Sequence, residues 1–343
     1  MEPDRVALGI GSRTVGRGAT SVPTKLILDV DTGTDDAVAL MFAALHPDLE
    51  LVAATTVNGN VPVEVCTENT LRVFDVIGAN VPVYEGSRRP MLRPDFPVPR
   101  QAGRESGIHG EYLDLPPARS KMQRERAVDF LVDTYMSSEG PDIVLVPVGP
   151  LTNIAMAITL EPRIVERIPR MIIMGGGHEI GNVTPAAEFN IWADPEAARV
   201  VLNSGVQNLS LVPLDATHKA LITLDDCRRL RELGTPAGNA TATVIERRIV
   251  GYNAYQPMAV PDAAPVHDAL CVAAIVDPSI IRTSPFHADV ETTGELTVGR
   301  TVIDTHRRRG MAPNADVALD ADGEKFVRLM METFARTPPG SAV

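Results

Sequence analysis

The segment Asp29-Val30-Asp31-Thr32-Gly33-Thr34-Asp35-Asp36 sets four carboxylates within eight residues. It follows the apolar run Leu26 to Val30, which reads as a β-strand. The acids therefore lie at the carboxyl end of that strand, where open α/β sheets place their ligands. Strand side chains alternate, so Asp29 and Asp31 share one face. Asp35 could serve the N-terminus of the helix that follows, because carboxylates favour that end of the dipole. Capping accounts for one or two of the acids and leaves the others repelling one another. A hard divalent cation accounts for all four: Ca²⁺ and Mg²⁺ take oxygen ligands, and calcium accepts roughly 6 to 8 of them in irregular geometry. The EF-hand spacing is absent, since no Glu stands at the required distance after Gly33.

The surrounding pattern supplies a scaffold for such a site. Leu26 to Val30, Ala37 to Leu45 and Leu51 to Val57 form a β-α-β opening. A helix over Val63 to Ile77 and a short strand over Val81 to Tyr84 follow. Residues 86 to 123 are rich in Pro, Gly and Arg with little periodicity, and a long loop of this kind is often functional. Alternation resumes with a helix near Arg126 to Ser137, strand Ile143 to Val148, helix Leu151 to Leu160, strand Arg170 to Met174, helix Pro195 to Asn203 and strand Leu209 to Pro213. Repeated β-α units with Val/Ile-rich strands imply a mainly parallel sheet covered by helices on both faces. After Asp215 the pattern turns more helical, over Leu224 to Leu233, Ala240 to Tyr252 and His267 to Val276. With no low-complexity linker in sight, a single α/β domain over residues 23–338 is expected, preceded by a Gly/Arg/Thr/Ser-rich disordered extension over residues 1–22.

The acidic run resembles the D-x-D-x-G-x-D-D motif of the inosine-uridine nucleoside hydrolase family. Further segments look like that family in the same order: Val57-Asn58-Gly59-Asn60, Gly107-Ile108-His109-Gly110, Val148-Gly149-Pro150-Leu151-Thr152-Asn153, the block Met174 to Asp194, and Val266-His267-Asp268. The combination spans about Lys25 to Phe334 and is far more specific than any single motif. The family fold, an open, mainly parallel α/β sheet in one domain, agrees with the pattern above. The resemblance implies an enzyme that hydrolyses the N-glycosidic bond of ribonucleosides to ribose and free base.

By similarity, Asp31, Asp35 and Asp268 would ligate Ca²⁺ through carboxylates, Val148 would add its main-chain carbonyl, and Asp36 would complete the cluster. The family often has Thr where Val148 stands, a change that a backbone ligand tolerates, and Pro where Thr32 stands. Asp31 would be the general base toward the attacking water. The positions matching Asn60, Asn182, Glu188 and Asn190 would bind the ribose hydroxyls, with Phe189 in the same block and Met174 packed near the sugar. Amides and carboxylates suit a polyol, because each hydroxyl both donates and accepts. Asn182-Val183-Thr184 also matches a glycosylation sequon, which lacks an accompanying secretory signal. An isolated His267 would read as an ordinary helix-start histidine; beside Asp268 it becomes a leaving-group acid, because imidazole titrates near neutrality. His109 would face the nucleobase from the Gly-rich loop and Tyr255 from the later helical region, while Tyr252 fits packing equally well.

Composition bounds the partners. A net charge of -12 argues against a nucleic-acid backbone or an anionic membrane, both of which reward clustered Lys and Arg. The run Arg307 to Arg309 reads as solvated surface. Hydrophobic content of 44% and charged content of 22% fit a folded soluble protein. Cys66, Cys227 and Cys271 are odd in number and far apart, which suggests neither a disulfide framework nor a thiolate site and fits a reducing cytoplasm. The family resemblance adds a homodimer or homotetramer. Two other functions compete. Asp29-Val30-Asp31 resembles the nucleophile motif of haloacid-dehalogenase phosphatases, although Gly33 stands where that motif wants Thr or Val. A non-catalytic ribose- or calcium-binding module would keep Asp35, Asp268 and Asn190 and need no base or proton donor.

Overall fold

A computed structural model of the chain describes residues 22–95, 108–109 and 112–336. The N-terminal extension expected over residues 1–22 lies outside them apart from Val22, as do Gly107, Gly110 and part of the long 86–123 segment. In chain order the elements are β1 (Thr24–Val30), α1 (Thr34–Leu45), β2 (Leu49–Thr56), α2 (Val63–Ile77), β3 (Val83–Glu85), α3 (Ala127–Met136), β4 (Ile143–Pro147), α4 (Thr152–Leu160), β5 (Met171–Met174), α5 (Phe189–Ala193), α6 (Pro195–Leu202), β6 (Leu209–Val212) and α7 (Leu214–Thr217). The later elements are β7 (Leu221–Thr223), α8 (Leu224–Glu232), α9 (Pro236–Tyr255), β8 (Ala263–Pro265), α10 (His267–Val276), β9 (Ile281–Phe286), β10 (Ala288–Val290), β11 (Thr301–Ile303), β12 (Ala315–Ala321) and α11 (Gly323–Phe334).

The main sheet runs β3-β2-β1-β4-β5-β6-β12-β9, parallel throughout except for the edge strand β9, which pairs antiparallel to β12. Strand residues alternate between two apolar layers. Leu26, Leu28, Val144, Val146 and Ile172 pack under α1, α9 and α10, whereas Ile27, Ile143, Leu145, Met171 and Ile173 pack under α3, α4 and α6. The chain leaves β1 toward β2 and β3 on one side and then returns to place β4 on the other. Connections diverge at this switch point and open a crevice beyond the strand ends. Asp31 follows β1 directly, and Val148 follows β4.

The more helical reading after Asp215 holds for α8, α9 and α10 but misses β7 to β12. The reason is physical: β9 buries little more than Ile281 and exposes Arg282 to Pro285, and β12 carries Asp316 and Asp320 within its run. Edge strands need no apolar alternation to pair, so hydrophobic periodicity is silent there.

Candidate active site

The site begins at the turn between β1 and α1. Helix α1 is buried along almost its whole length, Leu40 and Phe42 included, so its first turn is pressed against the sheet's carboxyl edge. Capping falls to Asp36 rather than to Asp35: its Oδ1 accepts the Asp31 amide at 3.1 Å and its Oδ2 the Gly33 amide at 2.9 Å. Asn60 braces the same corner, donating its backbone N–H to Asp31 Oδ2 at 2.7 Å and its side-chain amide to Asp36 Oδ2 at 3.3 Å. Gly59 and Gly149 leave room for Asp31; a Cβ at Gly59 would lie 2.0 Å from Asp31 Oδ2.

Asp35, Asp36 and Asp268 bring carboxylate oxygens within 4.8 Å of one another, all buried, the latter from the first turn of α10. Asp31 stands beside this trio rather than in it. Burial first, then the neighbouring acids, raises the Asp31 and Asp268 carboxyls well above the ordinary range, and burial with Asp35 pushes Asp36 up to about 7. Such a set of oxygens, short of positive charge, fits a hard divalent cation and offers no soft ligand. The Val148 carbonyl is available at the same corner, where the Asn190 side-chain amide donates to it at 2.7 Å.

Asp29 parts company with the other acids. With Ile27 it points at the α4 layer; Asp31, beyond the end of β1, lines the cavity instead, so the shared face expected of the two acids does not bring them together. Asp29 Oδ1 accepts from Thr55 Oγ1 at 2.5 Å and Asn153 Nδ2 at 2.7 Å. Burial, only partly countered by those bonds, pushes its pKa up to about 7. Asp29 thus ties β1 to β2 and α4.

Glu188 caps α5, accepting the amides of Asn190 at 2.9 Å and Ile191 at 3.2 Å. It also takes the Gly176 amide at 2.8 Å, and Gly176 adopts φ of 80°, a left-handed conformation that favours glycine. Burial pushes this carboxyl up to about 7. Asn190 further reaches the Met174 carbonyl at 3.3 Å, while Asn182 Oδ1 accepts the Phe189 amide at 2.9 Å. Met174, Asn182, Glu188, Phe189 and Asn190 line a cavity of about 580 Å³ together with Asp31, Asp35, Asn60, Val148 and Asp268.

The same cavity is lined by His109, Arg248, Tyr252, Tyr255 and His267. His109 Nδ1 accepts the Thr34 amide at 3.2 Å, so its N–H is on Nε2; Gly33 permits this contact, because a Cβ there would lie 2.0 Å from that nitrogen. Burial lowers the His109 pKa to about 4, so the ring is neutral. His267 has both nitrogens engaged at 2.7 Å, Nε2 with the Tyr252 hydroxyl and Nδ1 with Thr217 Oγ1. Burial, then Arg248, His218 and His109, holds its pKa well below the ordinary value. Tyr255 sits at the rim, 53% exposed.

All sequence-assigned site residues converge on this cavity except Asp36, which lies just behind its floor. Sequence reasoning missed Arg248, Trp192, Ile108 and Gln256, and left Tyr252 undecided. A signal existed for Arg248: with Thr241, Ile245 and Tyr252 it falls at helical spacing on the buried stripe of α9, where an arginine needs a partner.

Comparison with known proteins agrees with this geometry. The profile described as inosine-uridine preferring nucleoside hydrolase matches residues 26–328. An inosine-uridine preferring nucleoside hydrolase of Leishmania major is 39% identical over 321 residues, covering 92% of this chain and 98% of the relative. A pyrimidine-specific ribonucleoside hydrolase of Shigella flexneri is 38% identical over 90% of this chain and 96% of its own length. Among solved structures, a purine-preferring ribonucleoside hydrolase from Gardnerella vaginalis superposes with a TM-score of 0.83 at 34% identity, covering 91% of this chain and 98% of its own. Matched across nearly its whole described length, with the carboxylate corner and the polar wall in one cavity, the chain belongs to the inosine-uridine preferring nucleoside hydrolase family.

Proposed function

We propose that this chain hydrolyses ribonucleosides to ribose and free base by direct displacement at the anomeric carbon, with Asp31 as general base and a calcium ion held by Asp31, Asp35, Asp36, Asp268 and the Val148 carbonyl. The observation that carries the reading is the meeting, in one cavity, of a buried oxygen-only corner with a wall of amide and carboxylate groups suited to a polyol. When bound, the cation supplies Lewis-acid activation of water. Asp31 then accepts the water proton as the oxygen bonds to the anomeric carbon and the bond to the base nitrogen breaks. The surrounding carboxylates stabilise the positive charge that develops on the ribose.

Asn60, Asn182, Glu188 and Asn190 hold the sugar hydroxyls, with Met174 and Phe189 packed against the ring. On the leaving-group side, His109 presents its Nε2–H, and His267 is oriented by Tyr252 and Thr217. Burial holds His267 neutral in the free protein; as negative charge builds on the departing base the ring takes up a proton from solvent and passes it to the base nitrogen, while Asp31 returns the water proton to solvent, so the protons balance. Tyr255 covers the base from the rim. Neither rival function explains this arrangement: a phosphatase nucleophile does not need the ribose wall, and a pure binding module does not need the histidine side.

Among the described residues no helix is long and apolar enough to cross a membrane. The buried thiols of Cys66, Cys227 and Cys271 support a reducing, cytoplasmic setting, and the chain assembles as a homodimer or homotetramer. Relatives of similar identity are named for purine, pyrimidine and mixed preferences, so the base is read from assay. The experiment is release of reducing sugar from inosine, adenosine, guanosine, uridine and cytidine by the parent, the chelated protein and the chelated protein resupplied with Ca²⁺. Turnover lost on chelation and restored by Ca²⁺ is expected. Full activity in protein shown metal-free by elemental analysis would refute the catalytic ion.

A further inference from the structure

Arg248 of α9 is a buried cation in the cavity wall, 2% exposed, and the reaction as written above makes no use of it. Its guanidinium reaches three separate stretches of chain. Nε donates to the Pro265 carbonyl at 2.6 Å. Nη1 donates to Asp35 Oδ1 at 2.8 Å and to Thr34 Oγ1 at 3.0 Å, and Nη2 lies 3.4 Å from the Tyr252 hydroxyl, with the guanidinium 5.0 Å from the centre of that ring.

Each partner leads into the reacting machinery. Asp35 belongs to the carboxylate trio; Pro265 ends β8, one residue before the Val266-His267-Asp268 segment; Tyr252 holds His267 Nε2. A buried guanidinium is costly unless paired and hydrogen-bonded on most of its donors, so a position asking only for packing would be filled by an apolar side chain. Arginine's planar fork fixes several partners at one geometry, which the single rotatable ammonium of lysine does not.

We propose that Arg248 is a positioning residue for the hydrolysis: one guanidinium keeps the Asp35 carboxylate, the backbone leading to Asp268 and the Tyr252–His267 pair at a fixed separation. The carboxylate end of the cavity and its leaving-group end thereby stay in register. The inference rests on the hydrolase reading above.

The test compares the parent with Arg248→Lys and Arg248→Ala, each verified as folded by circular dichroism and melting temperature, in ribose release and in calorimetric titration with Ca²⁺. Residues that support metal ligands from behind contribute roughly 10-fold to 100-fold in affinity or activity, so Arg248→Lys should lose about that much kcat and about tenfold in Ca²⁺ affinity despite keeping the charge. Guanidinium chloride far below denaturing concentration should restore turnover to Arg248→Ala, whereas urea, neutral and of similar shape, should not. If Arg248→Ala does not fold, Arg248→Lys decides alone. Parental kcat and parental Ca²⁺ affinity in folded Arg248→Lys would overturn the proposal, reducing Arg248 to a counter-charge, as would indifference of folded Arg248→Ala to guanidinium. A parent that releases no ribose while both variants bind Ca²⁺ more weakly would sink the hydrolase reading and with it the role in hydrolysis, leaving Arg248 only as a support of the carboxylate trio.

Discussion

Gly59→Ala tests the geometry of the carboxylate corner with a single methyl group. The new Cβ would lie 2.0 Å from Asp31 Oδ2 and 2.6 Å from both Asp31 Cβ and Cγ. Non-bonded carbon contacts settle near ~3.5 Å, so the pair must separate by about 1 Å or more. Gly59 does not occupy the left-handed region, so the backbone accepts alanine and the strain falls on the Asp31 side chain. That side chain is 1% exposed and cannot move into solvent. It also loses the 2.7 Å hydrogen bond from the Asn60 amide, a charged bond worth roughly 1.5–3 kcal/mol. Misplacing a reacting group by ~1 Å costs on the order of 10²-fold in rate. That is about 2.7 kcal/mol at 1.36 kcal/mol per factor of ten, which the lost bond alone can supply. The assay is reducing-sugar release from inosine and uridine at saturating Ca²⁺, with circular dichroism to show the fold intact. A kcat within about threefold of the parent would show that Asp31 need not hold this position, and the assignment of the base would fall with it.

His267→Ala should depress inosine hydrolysis by roughly 10²-fold to 10⁴-fold while sparing p-nitrophenyl riboside, whose leaving group needs no proton; equal losses on both substrates would remove His267 from the acid role. The carboxyls of Asp29, Asp36 and Glu188, each pushed up to about 7 mainly by burial, prefer their protons in the fold. Their contribution is present below the unfolded carboxyl range and is lost as pH rises through about 7, so the melting temperature of chelated protein should fall between about pH 5 and pH 8. Ca²⁺ should restore more at the higher pH, and a melting temperature that rises over that window would contradict the buried acidic corner. Asn153→Leu removes the amide that donates to Asp29 Oδ1 at 2.7 Å and to the Thr56 carbonyl at 2.9 Å and accepts from the Ser87 amide at 2.9 Å. Thr55 still serves Asp29 Oδ1, so two groups lose their partner at ~1–3 kcal/mol each; chemical denaturation should show a loss of at least about 2 kcal/mol, and a change below about 1 kcal/mol would refute the role of Asn153.

Much of this protein is legible in its sequence. The β-α alternation through Val212 shows in the sequence because fully buried parallel strands are continuous apolar runs and their crossover helices carry a 3.6-residue stripe, a purely local signal. The cluster Asp31, Asp35, Asp36 was equally plain, since its members are neighbours in the chain and their mutual repulsion demands a counter-ion. What lay hidden depends on contacts between distant segments. Asp29 looks like a member of the cluster, yet it lies within β1 against α4, where Asn153, 124 positions away, claims it, whereas Asp31 stands past the strand's end. Arg248 and Asp35 lie 213 positions apart and meet only because α9 packs across α1. Tyr252 was undecidable until α9 and α10 brought its hydroxyl to His267. The edge strand β9 and its neighbour β12 do not show in the sequence, because β9 exposes most of its residues and the carboxylates Asp316 and Asp320 interrupt the apolar run of β12, while pairing through backbone hydrogen bonds asks nothing of side-chain periodicity. Residue type and spacing thus determined which chemistry is available and where along the chain it sits. Tertiary packing decided which of those groups face the cavity, because only the sheet's strand order and the helices crossing it bring residues hundreds of positions apart within hydrogen-bonding reach.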